Sequence, residues 1–189
     1  MEADLPRDFD IVVYGATGFT GALVAEYLQT NHSKIRWAIA GRSLSKLASV
    51  KKQLGNAELP TIEADSDSAV DMARLARTAK VIISTVGPYA QHGTKLLEAC
   101  AAEGTHYCDL TGEPQWMAAV FEKVSDMAEE SGARLVHCCG FDSIPSDLGV
   151  FVAQKIMRER HGVYATHVSG RMGPSKGAVS GGTVASMLL

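Results

Sequence analysis

The chain has no apolar run near the ~18 residues that a membrane-spanning helix requires. It also has no cluster of basic residues: 18 Lys and Arg stand against 21 Asp and Glu, a formal net charge of −3 over 189 residues. The electrostatic footprint of a nucleic-acid binder is therefore missing. Cysteine is scarce, with only Cys100, Cys108, Cys138 and Cys139, and no Cys-x-x-Cys pair among them. Adjacent Cys138 and Cys139 cannot readily bridge each other, and no His or Cys falls at metal-ligand spacing. The expectation is reduced, buried thiols in a cytoplasmic protein without a metal. The acidic, polar stretch from Met1 to Asp8 is unlike a secretory signal or a transit peptide.

What is present is an ordinary globular composition, 46% hydrophobic and 21% charged. The length suits one domain and a fraction, enough to bury a core without disulfides. Short β-branched runs alternate with segments of helical period. Phe9 to Tyr14 predicts a first strand, and Phe19, Leu23 and Tyr27 at four-residue spacing, with Val24 and Leu28 beside them, predict one face of a helix. Ile35 to Ala40, Pro60 to Ala64, Val81 to Val86, His106 to Leu110 and Arg134 to Cys139 predict five more strands. Between them lie helical patterns marked by Leu44 to Leu54, Ser68 to Ala79, Thr94 to Glu103 and Pro114 to Ser131. Six strands each followed by a helix-length segment predict an α/β fold, a doubly wound Rossmann-type parallel sheet.

After about Arg160 the pattern changes. Glycines crowd the stretch, Val163 to Met172 resembles a lone strand, and the apolar run Ala185 to Leu189 has no helix stop. The expected organisation is a Rossmann domain over 1–160 and, over 161–189, the opening of a second, α+β substrate domain that breaks off.

The most informative stretch is Gly15-Ala16-Thr17-Gly18-Phe19-Thr20-Gly21, three glycines between a predicted strand and a predicted helix. In that setting Gly15 permits the tight turn, Gly18 lets backbone approach a pyrophosphate, and Gly21 lets helix pack on strand. The helix start offers free N–H groups and a positive dipole end for phosphates. No Gly-Lys-Ser or Gly-Lys-Thr follows, so this is not a P-loop. NAD binding calls for a carboxylate about 20 positions on. Gly41-Arg42-Ser43 stands there instead, and Arg42 can pair with the 2′-phosphate of NADP in a forked geometry while Ser43 donates. NADP(H) is the expected cofactor. Val86-Gly87-Pro88-Tyr89, beyond the fourth strand, is expected to border the nicotinamide. No tyrosine has Lys four positions later, which removes the Tyr/Lys pair of short-chain dehydrogenases.

Taken with Thr85-Val86-Gly87-Pro88-Tyr89, Asp109-Leu110-Thr111-Gly112-Glu113 and Cys139-Gly140-Phe141-Asp142-Ser143-Ile144-Pro145, these motifs resemble the saccharopine dehydrogenase-like oxidoreductases. The resemblance runs from about Phe9 to the end of the chain. Within that family the chain is similar to the bacterial trans-acting enoyl reductases of phthiocerol lipid synthesis, and Val179 to Ala185 supports the subgroup. The resemblance implies an NADP(H)-dependent oxidoreductase reducing a lipid-related enoyl substrate, or another unsaturated or imine compound. It also implies family members about twice as long, and eukaryotic relatives associated with lipid droplets. The expected partner is a small molecule, with lipid linkage, peripheral membrane association and a homo-oligomer all left open. The alternative is a Rossmann module that senses NADP and binds a protein without turnover.

No catalytic residue is assigned. Tyr89, one of His92, His106 and His137, or a further domain would supply a proton. Asp109, Glu113 and Asp142 follow the fifth and sixth strands, where site residues gather. Asp142 also suits a helix cap, and Glu113 before Pro114 a helix entrance.

Overall fold

The computed structural model describes residues 6–174 and 181–187. Readings that involve Met1 to Leu5, Val179, Ser180, Leu188 and Leu189 lie outside the described residues. The strands are β1 Phe9–Tyr14, β2 Trp37–Gly41, β3 Thr61–Glu63, β4 Ala79–Ser84, β5 His106–Asp109 and β6 Leu135–Val136. Helices α1 Phe19–Asn31, α2 Leu44–Gln53, α3 Ala69–Thr78, α5 Thr94–Glu103 and α6 Pro114–Ser131 make the crossovers, with a short α4 at Tyr89–His92. Every strand pairing is parallel, and the spatial order is β3-β2-β1-β4-β5-β6. This is the expected doubly wound sheet. Its order reverses between β1 and β4, where a crevice opens at the carboxyl ends of the strands.

Alternation along β1 and β2 feeds two cores. Val12, Tyr14 and Ala38 join Met72, Leu75, Leu96, Leu97 and Val120 from α3, α5 and α6. Val13 and Ile39 point to the other face, against Ala25, Leu28, Leu47 and Val50 from α1 and α2. Each fully buried Val, Leu or Ile contributes roughly 1.5–3 kcal/mol. Ser43 and Ser68 start α2 and α3 by accepting the backbone N–H groups of Lys46 and Asp71, worth about 1 kcal/mol each.

Three expectations are corrected. The predicted core face of α1 is mostly exposed, with Phe19, Leu23 and Tyr27 at 74%, 49% and 58%. Of the expected face only Leu28 is buried, with Val24 packed partly against the core, and Gly21 and Ala25 face the sheet with it, because the helix must bring its smallest residue against the β1 turn. Strand β6 is two residues long rather than six. Past Val136 the chain curls onto Asp109: Cys138 takes φ 60°, its N–H donates to Asp109 Oδ1 at 3.2 Å, and Cys139 N–H donates to the Asp109 carbonyl at 2.7 Å. Finally, Val163 to Met172 forms no strand. The Gln154 amide takes the place of a partner strand, donating to the Ala165 carbonyl at 2.9 Å and accepting its N–H at 2.8 Å.

Beyond β6 come α7, Ile144–His161, which buries none of its residues, and α8, Gly181–Met187. Among the described residues no helix is long and apolar enough to cross a membrane.

Candidate functional site

A cleft of about 270 Å³ lies at the carboxyl ends of β1 and β4, at the reversal of the sheet. Gly15 follows β1 with φ +88°, a conformation L side chains rarely adopt. Its N–H donates to the Ala40 carbonyl at 2.9 Å, and its own carbonyl accepts from Gly18 N–H at 3.0 Å. A Cβ on Gly21 would collide with that Gly15 carbonyl. Gly15 and Gly21 are thus glycines for the sake of the fold. Gly18 is different: a Cβ there would meet only the Gly15 carbonyl, at 3.4 Å, an ordinary contact. Gly18 lines the cleft, so a side chain would take up space that a ligand needs and the protein does not. It is also the N-cap of α1, where no side chain caps the helix, and first-turn N–H groups without partners favour an anion.

The rest of the cleft comes from other strand ends. Gly41 closes β2, and the exposed Arg42 beside it makes no hydrogen bond or ion pair among the described residues. The guanidinium is left unpaired at this end of the cleft, where the charges of Asp65 and Asp67 also act on the Tyr14 phenol. Ser43 does not line the cleft; its Oγ caps α2 at 3.4 Å from Lys46 N and lies 3.1 Å from Ser45 Oγ. Thr17 lines the cleft, Ala16 is buried with its N–H on the Ala40 carbonyl, and Phe19 and Thr20 sit on α1 outside the lining.

Past β4, Thr85, Val86 and Gly87 reach the cleft. Thr85 Oγ1 donates toward the carbonyls of Tyr14 and Gly15 at 3.1 and 3.2 Å, tying the β4 end to the glycine turn. A cis peptide joins Gly87 to Pro88. Tyr89 begins α4 but turns its ring away from the cleft into the core, stacked on Trp116 at 5.5 Å. Its hydroxyl donates to the Ser84 carbonyl at 3.1 Å and accepts Leu110 N–H at 3.4 Å. Burial, reinforced by the Asp109 charge, pushes this phenol well above its ordinary pKa. Tyr89 is therefore a structural residue, and the expectation of an acid there is corrected.

The histidines separate cleanly. His106 opens β5 at the amino end of the strand, away from the carboxyl-end cleft, its Nδ1 accepting Arg134 N–H at 3.1 Å. His92 lines the cleft, 3.4 Å from Ser66 Oγ and 3.8 Å from Asp67 Oδ1. His137 lies past β6 with Nδ1 2.7 Å from Asp109 Oδ2. The Asp109 side chain has no exposed surface and also accepts from Tyr107 Oη at 2.9 Å and Thr111 N–H at 3.1 Å. A buried carboxylate so placed fixes the histidine tautomer and leaves Nε2 as its free nitrogen. Asp142 is exposed and caps nothing: α7 starts at Ser143 without a side-chain cap.

Sequence reasoning missed Tyr14 and Ser66 as lining residues, named His92 only as a proton donor and held Thr85 only within a motif. Tyr14 and Thr85 close or follow the two central strands, so the carboxyl-end rule applied to every strand finds them. Burial pushes the Tyr14 phenol up to about 12. Ser66 and His92 meet only through the tertiary fold. Glu113, expected as a helix entrance, aims its buried carboxylate at α4: Tyr89 N–H donates to Oε1 at 2.9 Å and Ala90 N–H to Oε2 at 2.8 Å.

Residues 11–137 match the saccharopine dehydrogenase NADP-binding domain family. A Mycobacterium tuberculosis protein provisionally named a trans-acting enoyl reductase is 45% identical over 185 residues, 97% of this chain and 44% of its own length. The trans-acting enoyl reductase of Mycobacterium leprae is 42% identical over 183 residues, 95% of this chain and 44% of its own. The chain thus spans under half the length of these relatives. Among solved structures, the L-Glu-forming saccharopine dehydrogenase of Saccharomyces cerevisiae superimposes with a TM-score of 0.64. It is 18% identical and covers 82% of this chain and 32% of its own, a likeness of fold.

Proposed function

The chain belongs to the saccharopine dehydrogenase NADP-binding domain family, and from that premise we propose that it is the NADP(H)-binding part of an oxidoreductase that reduces a lipid-related enoyl substrate. One contrast carries the cofactor reading. Gly18 lacks a Cβ that the protein itself could accommodate, and Arg42, on the same cleft, has a charge that no described protein group meets.

The turn from Gly15 to Gly21, with the α1 N-terminus, would hold the pyrophosphate. Arg42 would grip the 2′-phosphate, while Ser43, expected as a second donor, caps α2 outside the cleft lining. Val86 to Tyr89 would shape the nicotinamide end. When bound, the cofactor supplies the hydride. The proton would come from a histidine, either His92, which lines the cleft, or His137, whose orientation the buried Asp109 carboxylate maintains.

The substrate assignment is supported by the names of the relatives, trans-acting enoyl reductases. On this reading residues 1–160 form the cofactor domain and 161–189 open a substrate domain, which the greater length of the relatives supports. The cytoplasm is the proposed compartment, supported by four cysteines that all stand as free thiols. The test is NADPH oxidation by the protein. It should proceed with an α,β-unsaturated acyl thioester and not with 2-oxoglutarate plus lysine. The reverse result would overturn the lipid reading, and oxidation with neither would favour the NADP sensor.

A further inference from the structure

Glu113 is 8% exposed, and a carboxylate so buried is costly unless its charge is met by hydrogen bonds. It stands at the N-cap of α6 without capping that helix. Its oxygens go to other elements. Besides the Tyr89 and Ala90 N–H groups of α4, Oε1 accepts the Ser186 hydroxyl at 2.7 Å, from a residue 73 positions away on α8. Gly87, which lines the cleft, sits between these holds. A Cβ built on it stands 3.5 Å from the Tyr89 ring and 3.8 Å from Ser186 Oγ. The Gly87–Tyr89 turn is therefore gripped on one side by the core and faced on the other by α8.

We propose that Glu113 is the positioning residue for the nicotinamide end of the site, and that Ser186 docks α8 to it as a wall of that end. The inference rests on the cofactor reading above. A charge-assisted hydrogen bond is about twice as strong as a neutral one, so one carboxylate can set both the turn and the helix. Arg42 and Ser66, at the adenine end, make no hydrogen bond or ion pair with Glu113 or Ser186 among the described residues; Ser66 reaches α4 only at its far end, through His92 at 3.4 Å. Disturbing the junction should therefore weaken the whole dinucleotide and spare its adenine half.

The experiment compares NADPH with adenosine 2′,5′-bisphosphate, which carries the 2′-phosphate and adenine but no nicotinamide, by calorimetric titration of the 189-residue chain. In Ser186→Ala the NADPH affinity should fall about tenfold or more, in line with a lost hydrogen bond to a charged group. Affinity for the half-cofactor should not change, and Ser186→Thr, which keeps the hydroxyl, should restore NADPH binding. Glu113→Gln should reproduce the selective loss if it folds, as its melting curve will show; the serine pair decides the matter alone. Unchanged NADPH affinity in Ser186→Ala, or equal losses for both ligands, would overturn the inference while leaving the cofactor reading intact. An unmutated chain that binds neither ligand would overturn both.

Discussion

The carbonyl oxygen of Gly15 occupies the place where a Cβ on Gly21 would have to stand. That contact seats α1 on the sheet and aims its N-terminus into the cleft. Gly21→Ala should lower stability by about 1–3 kcal/mol, the usual cost of overpacking, read as a shifted urea midpoint. Gly18→Ala should stay within about 1 kcal/mol of the parent, since only N-cap preference changes.

Gly18→Val separates fold from function at the same turn. Its side chain would project into the cleft, so a folded variant with a near-parental melting curve should lose NADPH binding. Normal binding by that variant would mean the phosphates lie elsewhere.

Asp10 should govern part of the acid response. Its carboxylate bonds Arg36 Nη2 at 3.1 Å and Lys80 Nζ at 3.1 Å. The Arg36 hydrogen bond, then that of Lys80, lowers its pKa from 3.8 to about 2. The folded state resists protonation more than the unfolded one, so the contribution is fully present above 3.8 and drains away as pH falls toward about 2. Asp10→Asn should flatten the pH dependence of the unfolding midpoint across that window. An unchanged slope would mean the exposed pairs are screened.

Tyr89→Phe tests the structural role of that hydroxyl. The lost bonds to Ser84 and Leu110 should cost about 1–2 kcal/mol. Because burial holds the phenol protonated well above its usual range, the pH profile of NADPH oxidation on the proposed reading should not move. A lost titration limb would return Tyr89 to the chemistry.

Much of this was legible from residue order. The strand–glycine–helix opening and the regular alternation after it led to the six-stranded sheet, and Arg42 was legible as a lone charge after β2. Other features depend on contacts that periodicity does not report. Phe19, Leu23 and Tyr27 have the spacing of a core face, yet the close approach of Gly21 to Gly15 turns them to solvent. Arg134 to Cys139 has strand composition throughout, but Asp109 draws Cys138 and Cys139 out of the ladder. Glu113 has the look of a local cap; its partners Tyr89 and Ser186 lie 24 and 73 positions away.

The central claim is that the unpaired Arg42 at the cleft reads the 2′-phosphate of NADP(H). Its most direct test is calorimetric titration of the unmutated chain and of Arg42→Asp with NADPH and with NADH. The account predicts NADPH binding tighter than NADH by tenfold or more, matching the ~1.5–3 kcal/mol of a charged hydrogen bond, with the preference lost or reversed in Arg42→Asp. Equal affinities for the two cofactors in the unmutated chain would contradict it.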